Sequence, residues 1–101
     1  MKLKDIGEIG LIKRLTKGIH LDKTVVKGVG DDTAVIKWTK DKHLLYTCDI
    51  LIEDTHFKIG KAAPFQIGWK ALCRNISDIA AMGGVPRYAL ISVGLNPGLS
   101  L

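Results

Sequence analysis

Four short segments carry residue types and spacings that can do chemistry. Gly28-Val29-Gly30-Asp31-Asp32 puts two carboxylates directly after two close glycines. Glycines there let the backbone turn tightly and approach a ligand. Adjacent carboxylates supply hard oxygens to a divalent cation. The same pattern also suits a turn at the entry to a hairpin, with both acids in water. Thr47-Cys48-Asp49 sets a hydroxyl and a carboxylate at the end of an apolar run. That suits magnesium, which keeps several waters and takes one or two protein carboxylates plus phosphate oxygens. It is equally an ordinary strand end. Glu53-Asp54-Thr55-His56-Phe57 flanks a histidine with acids. Such an imidazole can be a ligand, a base, a substrate contact or a surface residue. Asn75 and Asp78 are three apart, hence on one face of a helix. Asp78 is either an acid that needs a partner in an apolar stretch or half of a surface salt bridge with Arg74, four residues earlier. His20 and His43 have no such company.

Composition narrows the function classes. In 101 residues, 47% are hydrophobic and 25% charged, the profile of a globular domain and not of a disordered chain. The length gives one domain, 1–101. No apolar run reaches the ~18 residues of a membrane span. The opening Met1-Lys2-Leu3-Lys4-Asp5 lacks the apolar core of a signal peptide, so a cytoplasmic protein without membrane contact is expected. Cys48 and Cys73 form no CxxC pair and read as reduced thiols. There is no GxxxxGK[ST] phosphate loop. The net charge of +5 is uneven, and residues 31–57 hold six acids against three bases. Without a dense basic run interleaved with aromatics, nucleic acid is not an expected partner. The local acidic cluster points to a cation instead.

Positioning these residues requires a few elements. Ile6, Ile9, Ile12 and Leu15 recur at helical spacing, which predicts an amphipathic helix over 5–17. Residues 19–32 read as a connecting loop. Strands are expected over 33–38 and 43–49, paired as a hairpin across a polar turn; residues 50–60 are ambiguous. Pro64 suits the first turn of a second helix, with Phe65, Trp69, Leu72, Ile76 and Ile79 as its apolar stripe. That stripe predicts Trp69 in the core. Gly83-Gly84 ends the helix. Alternation over 87–95 predicts a third long strand. Three strands and two helices leave sheet edges open, so the chain is expected to be part of a longer protein or to pair with a second copy.

Taken in order, these segments resemble the thiamine-monophosphate kinases. The residues that carry the likeness are Gly28 to Val35, Thr47 to Glu53 with His56-Phe57, Gly68-Trp69-Lys70-Ala71-Leu72 and Asn75 to Pro86. Gly7-Glu8 with Leu11-Ile12 is similar to the family's opening helix. The wider superfamily includes aminoimidazole ribonucleotide synthetase and selenophosphate synthetase. The resemblance implies an α/β (α+β) fold like the N-terminal domain of aminoimidazole ribonucleotide synthetase. Its mixed sheet packs against helices and is completed by homodimerisation. It implies transfer of a phosphoryl group from ATP to thiamine monophosphate, with Mg2+ between the nucleotide and a set of aspartates. Carried over by position, Asp31, Thr47, Cys48, Asp49 and Asp78 are the metal residues and His56 the substrate contact. Gly30, Asp31 and Asp49 are the nucleotide contacts. Two departures stand out. Cys48 replaces the usual hydroxyl residue, and a thiol is a poor magnesium ligand, so only its carbonyl fits. Glu53-Asp54-Thr55 replaces the usual Glu-Gly before the histidine. The family's later Gly-Asp motif and C-terminal domain are not in these residues, so this chain alone is expected to be inactive. A stand-alone dimerisation or ligand-binding module of the same superfamily is the alternative.

Overall fold

A computed structural model describes residues 2–100. The element order is α1 (Leu3–Thr16), β1 (Val25–Lys27), β2 (Ala34–Lys37), β3 (His43–Tyr46) and α2 (Pro64–Ala81). In α1 the Lys2 amide donates to Asp5 Oδ2 at 2.7 Å, which fixes the first turn. The helix kinks at Gly7, whose φ is 63°. None of α1 is buried, and Leu3, Ile9 and Leu15 are exposed.

The three strands form one antiparallel sheet in the order β1-β2-β3. β1 lies inside the stretch expected to be loop. Val25-Val26-Lys27 is too short to show a period of two, and its strand character comes from pairing. Asp22 starts it. Its Oδ1 accepts from the Thr24 amide at 2.8 Å and the Thr24 hydroxyl at 2.6 Å. This is a turn in which the side chain does a backbone carbonyl's work. These hydrogen bonds also hold the Asp22 carboxyl below its ordinary value. Lys37 then donates its amide to Thr24 O at 2.8 Å, bringing β1 beside β2. The β2–β3 hairpin is the expected one, with Val35 opposite Leu45 and Lys37 opposite His43. Its turn closes as the Trp38 and Thr39 amides both donate to Lys42 O at 3.1 Å. Both strands are shorter than expected, so residues 47–49 lie just beyond β3.

α2 matches its expected span. Pro64 fills the first position, where an amide hydrogen would have no partner. The Gln66 side chain reaches back to accept from the Ala63 amide at 3.1 Å. At the far end Gly84 donates to Ile79 O and Gly83 to Ala80 O, both at 2.9 Å. Gly83 has φ 71°, and this pair of bonds with a left-handed residue is the glycine-terminated helix end. Gly84 has a second role. A Cβ there would collide with Leu45 Cδ1 and stand 3.1 Å from Ile79 Cγ2. The end of α2 therefore rests against β3 only because this residue has no side chain.

Three expectations are corrected. Residues 87–95 form no strand: among the described residues no sheet edge pairs with them, and Leu90 and Tyr88 are fully exposed. The sheet is antiparallel, not mixed, among the described residues. The apolar stripe of α2 is not core. Phe65 and Trp69 are 75% and 64% exposed and touch chiefly each other, ring centroids 5.9 Å apart. The sheet is antiparallel because its consecutive strands are joined by short connections; for residues 87–95 and the α2 stripe, no described element covers them. Among the described residues only Val35 and Thr33 are buried. The radius of gyration is 17.0 Å, against about 13 Å for a compact domain of this length. Trp69→Ala should therefore cost this chain only about 0.5–1.5 kcal/mol, the value of the ring pair. Urea unfolding checks it. A loss of roughly 3–5 kcal/mol, as for a core tryptophan, would show that this face is covered.

Candidate functional site

Beyond Tyr46 the chain passes along α2, and two side chains from each meet. Thr47 and Asp49 are two residues apart. Arg74 and Asp78 are four apart, one turn of helix and one face. The Thr47 hydroxyl donates to Asp78 Oδ2 at 2.8 Å in a partly buried contact. Arg74 Nε pairs with Asp49 Oδ2. Asp49 Oδ1 accepts from the Ile50 amide at 2.8 Å. The Arg74–Asp78 bridge that i,i+4 spacing allows is therefore not the pairing adopted. Each partner reaches across to the segment after β3 instead. The reason is access: only there does each group meet an opposite charge or hydroxyl from a second element. Asn75 turns back to its own helix, donating to Ala71 O at 2.9 Å.

The glycine loop stands on the other side. Gly30 has φ 121°, a region open to glycine and strained for other residues. Next to it, Asp31 Oδ2 pairs with Lys27 Nζ while its Oδ1 accepts from the Asp32 amide at 3.0 Å. The Lys27 hydrogen bond is the main reason the Asp31 carboxyl sits below its ordinary value; the Asp32 amide and the Lys27 charge add to it. A lowered carboxyl favours the fold above the ordinary carboxylate range and loses that contribution as pH falls through the lowered value. Thr33 follows at 2% exposure, and its buried hydroxyl has no hydrogen-bond partner.

The loop and the end of β3 line one open groove of about 460 Å3. Gly30, Asp31, Thr33, Tyr46, Thr47 and Cys48 all contribute to it. Four expected residues, Gly30, Asp31, Thr47 and Cys48, are thus brought together. Asp78 joins through Thr47, while Asp49 is adjacent in the chain and directed to Arg74. His56 stands apart. Its Nδ1 accepts from the Ile52 amide at 3.0 Å, so the neutral ring carries its proton on Nε2. Its carbonyl accepts from Lys70 Nζ at 2.7 Å, which ties this turn to α2. Asp54, at φ 63°, makes the turn.

The residue types here are ones that could hold magnesium. The carboxylates of Asp31, Asp49 and Asp78 and the Thr47 hydroxyl are hard oxygen donors. The unpartnered Thr33 hydroxyl is a polar atom in the same groove with nothing yet to bond. Among the described residues, no three acidic, histidine or cysteine side chains gather around one point. Two of the three aspartates instead hold a cation of this chain. The sequence pattern does not point to those cations: nothing marks Lys27, and the spacing of Arg74 offers Asp78, one of two readings of that acid, in place of Asp49. Nothing marks Thr33 either.

The profile of the family described as AIR synthase related protein, N-terminal domain, matches residues 30–100. The chain belongs to that family. The match begins at Gly30 and takes in the loop from Gly30 to Thr33, the end of β3 and α2, while Gly28 and Val29 of the groove precede it. Curated relatives share more than the profile. The chain is similar to the thiamine-monophosphate kinase of Aquifex aeolicus, 42% identical over 101 residues, 100% of this chain and 31% of that protein. It is similar to the enzyme of the same name from Bacillus subtilis, 40% identical over 90 residues, 89% of this chain and 28% of the relative. The Methanocaldococcus jannaschii protein of that name is 35% identical over 94 residues, 93% and 28%. The chain thus spans about a third of these relatives' length. No solved structure gives a significant match. Among the described residues no helix is long and apolar enough to cross a membrane.

The cross-tie between Thr47 and Asp78 makes a stability prediction. Asp78→Asn keeps an acceptor and should cost little. Asp78→Ala should cost about 1–3 kcal/mol, as for a hydrogen bond to a charged group. Thr47→Val added to Asp78→Ala should cost less than about 0.5 kcal/mol more, because the bond is already gone. Additive losses in urea unfolding would contradict the contact.

Proposed function

We propose that this chain is the N-terminal, ATP- and magnesium-binding part of a cytoplasmic thiamine-monophosphate kinase. The reaction is transfer of the γ-phosphoryl group of ATP to thiamine monophosphate, giving ADP and thiamine diphosphate. The observation that carries the reading is the 42% identity over all 101 residues to a relative of that name. The groove adds chemical support, since it sets a glycine loop and hard oxygens face to face.

In this reading Gly30 admits a phosphate close to the backbone. Asp31, Asp49 and Asp78 supply carboxylates, Thr47 its hydroxyl and Cys48 its carbonyl to hold magnesium with the nucleotide. The metal, when bound, neutralises charge on the polyphosphate. Phosphoryl transfer asks little else of side chains than such neutralisation and positioning. His56, with its proton on Nε2, offers a donor to the phosphate of thiamine monophosphate. The chain spans 31% of the Aquifex aeolicus relative, and the exposed apolar side chains of α1, α2 and residues 87–95 support further domain contacts and a homodimer.

The test is kinetic and uses the full-length enzyme. Asp49→Asn and Asp78→Asn should each keep the fold and lose most kinase activity, and raised magnesium should partly restore at least one. A wild-type rate for Asp78→Asn at low magnesium would remove Asp78 from the site.

A further inference from the structure

Asp31, which lines the groove, and Asp49, next in the chain to the groove residue Cys48, each hold a basic side chain of the same chain. Lys27 Nζ sits on Asp31 Oδ2, four residues along. Arg74 Nε sits on Asp49 Oδ2, from a different element. The third, Asp78, has a neutral hydroxyl for a partner. In both ion pairs the other carboxylate oxygen is already taken by a backbone amide, that of Asp32 or Ile50. The arrangement therefore gives each carboxylate oxygen a partner from within the chain. A divalent cation approaching either acid meets a positive charge in its way. The bases are also partly exposed, 54% for Lys27 and 40% for Arg74. Both are long, flexible side chains with a solvent-facing part.

We propose that Lys27 and Arg74 are resident counter-ions of the site, which leave their carboxylates when a metal–nucleotide binds and then pair with its phosphates. This rests on the reading of the groove as a metal–nucleotide site. The chemistry is an exchange of partners. In the empty groove each carboxylate is neutralised by an ammonium or a guanidinium. When a metal carrying a polyphosphate arrives, the carboxylates turn to the metal. The released cations then lie beside a ligand of high negative charge. Guanidinium groups bind phosphate in a planar fork, and an ammonium binds it as a point charge. Asp78, without a charged partner, needs no such exchange. The lowered carboxyl of Asp31 is consistent with the exchange, since Lys27 is its main cause. The bases thus oppose the bare metal and favour the metal–nucleotide, which biases the groove against magnesium without nucleotide.

The two ligands should therefore respond with opposite sign. In the full-length protein, calorimetric titration would be run with magnesium chloride alone and with magnesium plus a non-hydrolysable ATP analogue. The comparison is wild type against Lys27→Gln and Arg74→Gln, with circular dichroism to monitor the fold. Arg74→Gln should bind bare magnesium roughly two- to fivefold more tightly, the factor carried by a partly exposed ion pair. It should bind the magnesium–analogue complex more weakly by a similar factor, and Lys27→Gln should behave in the same direction. Arg74→Lys should restore most of the nucleotide affinity. If both affinities fall together, or neither moves, the inference is overturned while the metal–nucleotide site stands. If the wild-type protein binds neither magnesium nor the complex, the reading of the groove falls and the inference with it.

Discussion

Two side chains that leave the end of β3 meet two side chains one turn apart on α2. Thr47 with Asp78 and Asp49 with Arg74 form a pair of cross-ties. A spacing of two along the chain after β3 matches a spacing of four along the helix. This is the constraint on which the rest depends. It sets which face of α2 meets the segment after β3, and it lines up Asp49 and Asp78 with Thr47. It is reinforced at one place by packing, where Leu45 lies against the bare backbone of Gly84. Without the cross-ties little would hold sheet and helix together, because buried apolar contact between them is sparse.

That sparseness has a physical consequence. A partly buried hydrogen bond and a partly exposed ion pair are worth about 1 kcal/mol each. Ordering a residue's backbone costs roughly 1–2 kcal/mol. Polar ties of this kind choose an orientation; they do not supply the stability of a domain. The large apolar side chains that would supply it, among them Phe65, Trp69, Leu90 and Ile91, stand open to solvent. The site geometry is specified locally, while the surfaces that would stabilise it await a partner surface.

Much of this was legible in the sequence and the rest was not, for identifiable reasons. The two helices and the β2–β3 hairpin follow from strong local signals: periodicity over many residues, Pro64 at a start, Gly83-Gly84 at an end. β1 was missed because three residues carry no period, and its existence depends on Asp22 and on pairing with β2. Residues 87–95 alternate like a strand, yet a strand needs a neighbour, and alternation says nothing of whether one is present. Trp69 was expected in the core for the same reason: a stripe marks what a helix can bury, not what covers it. At the site, residue types and order singled out the glycine loop, Thr47, Asp49 and Asp78 as candidates. The partners could not be read, because i,i+4 spacing made Arg74–Asp78 the natural pair and only the fold brings Asp49 within reach.

The central claim is that the loop around Asp31 and the cross-tied face of β3 and α2 make one cation–nucleotide site. Paramagnetic Mn2+ can replace magnesium in a titration of the full-length protein with an ATP analogue, followed by amide NMR. The account predicts that resonances of residues 30–33, 47–49 and 78 broaden first and together, with α1 unaffected. Broadening centred instead on Glu53, Asp54 and His56, or spread evenly over the acidic residues, would contradict it.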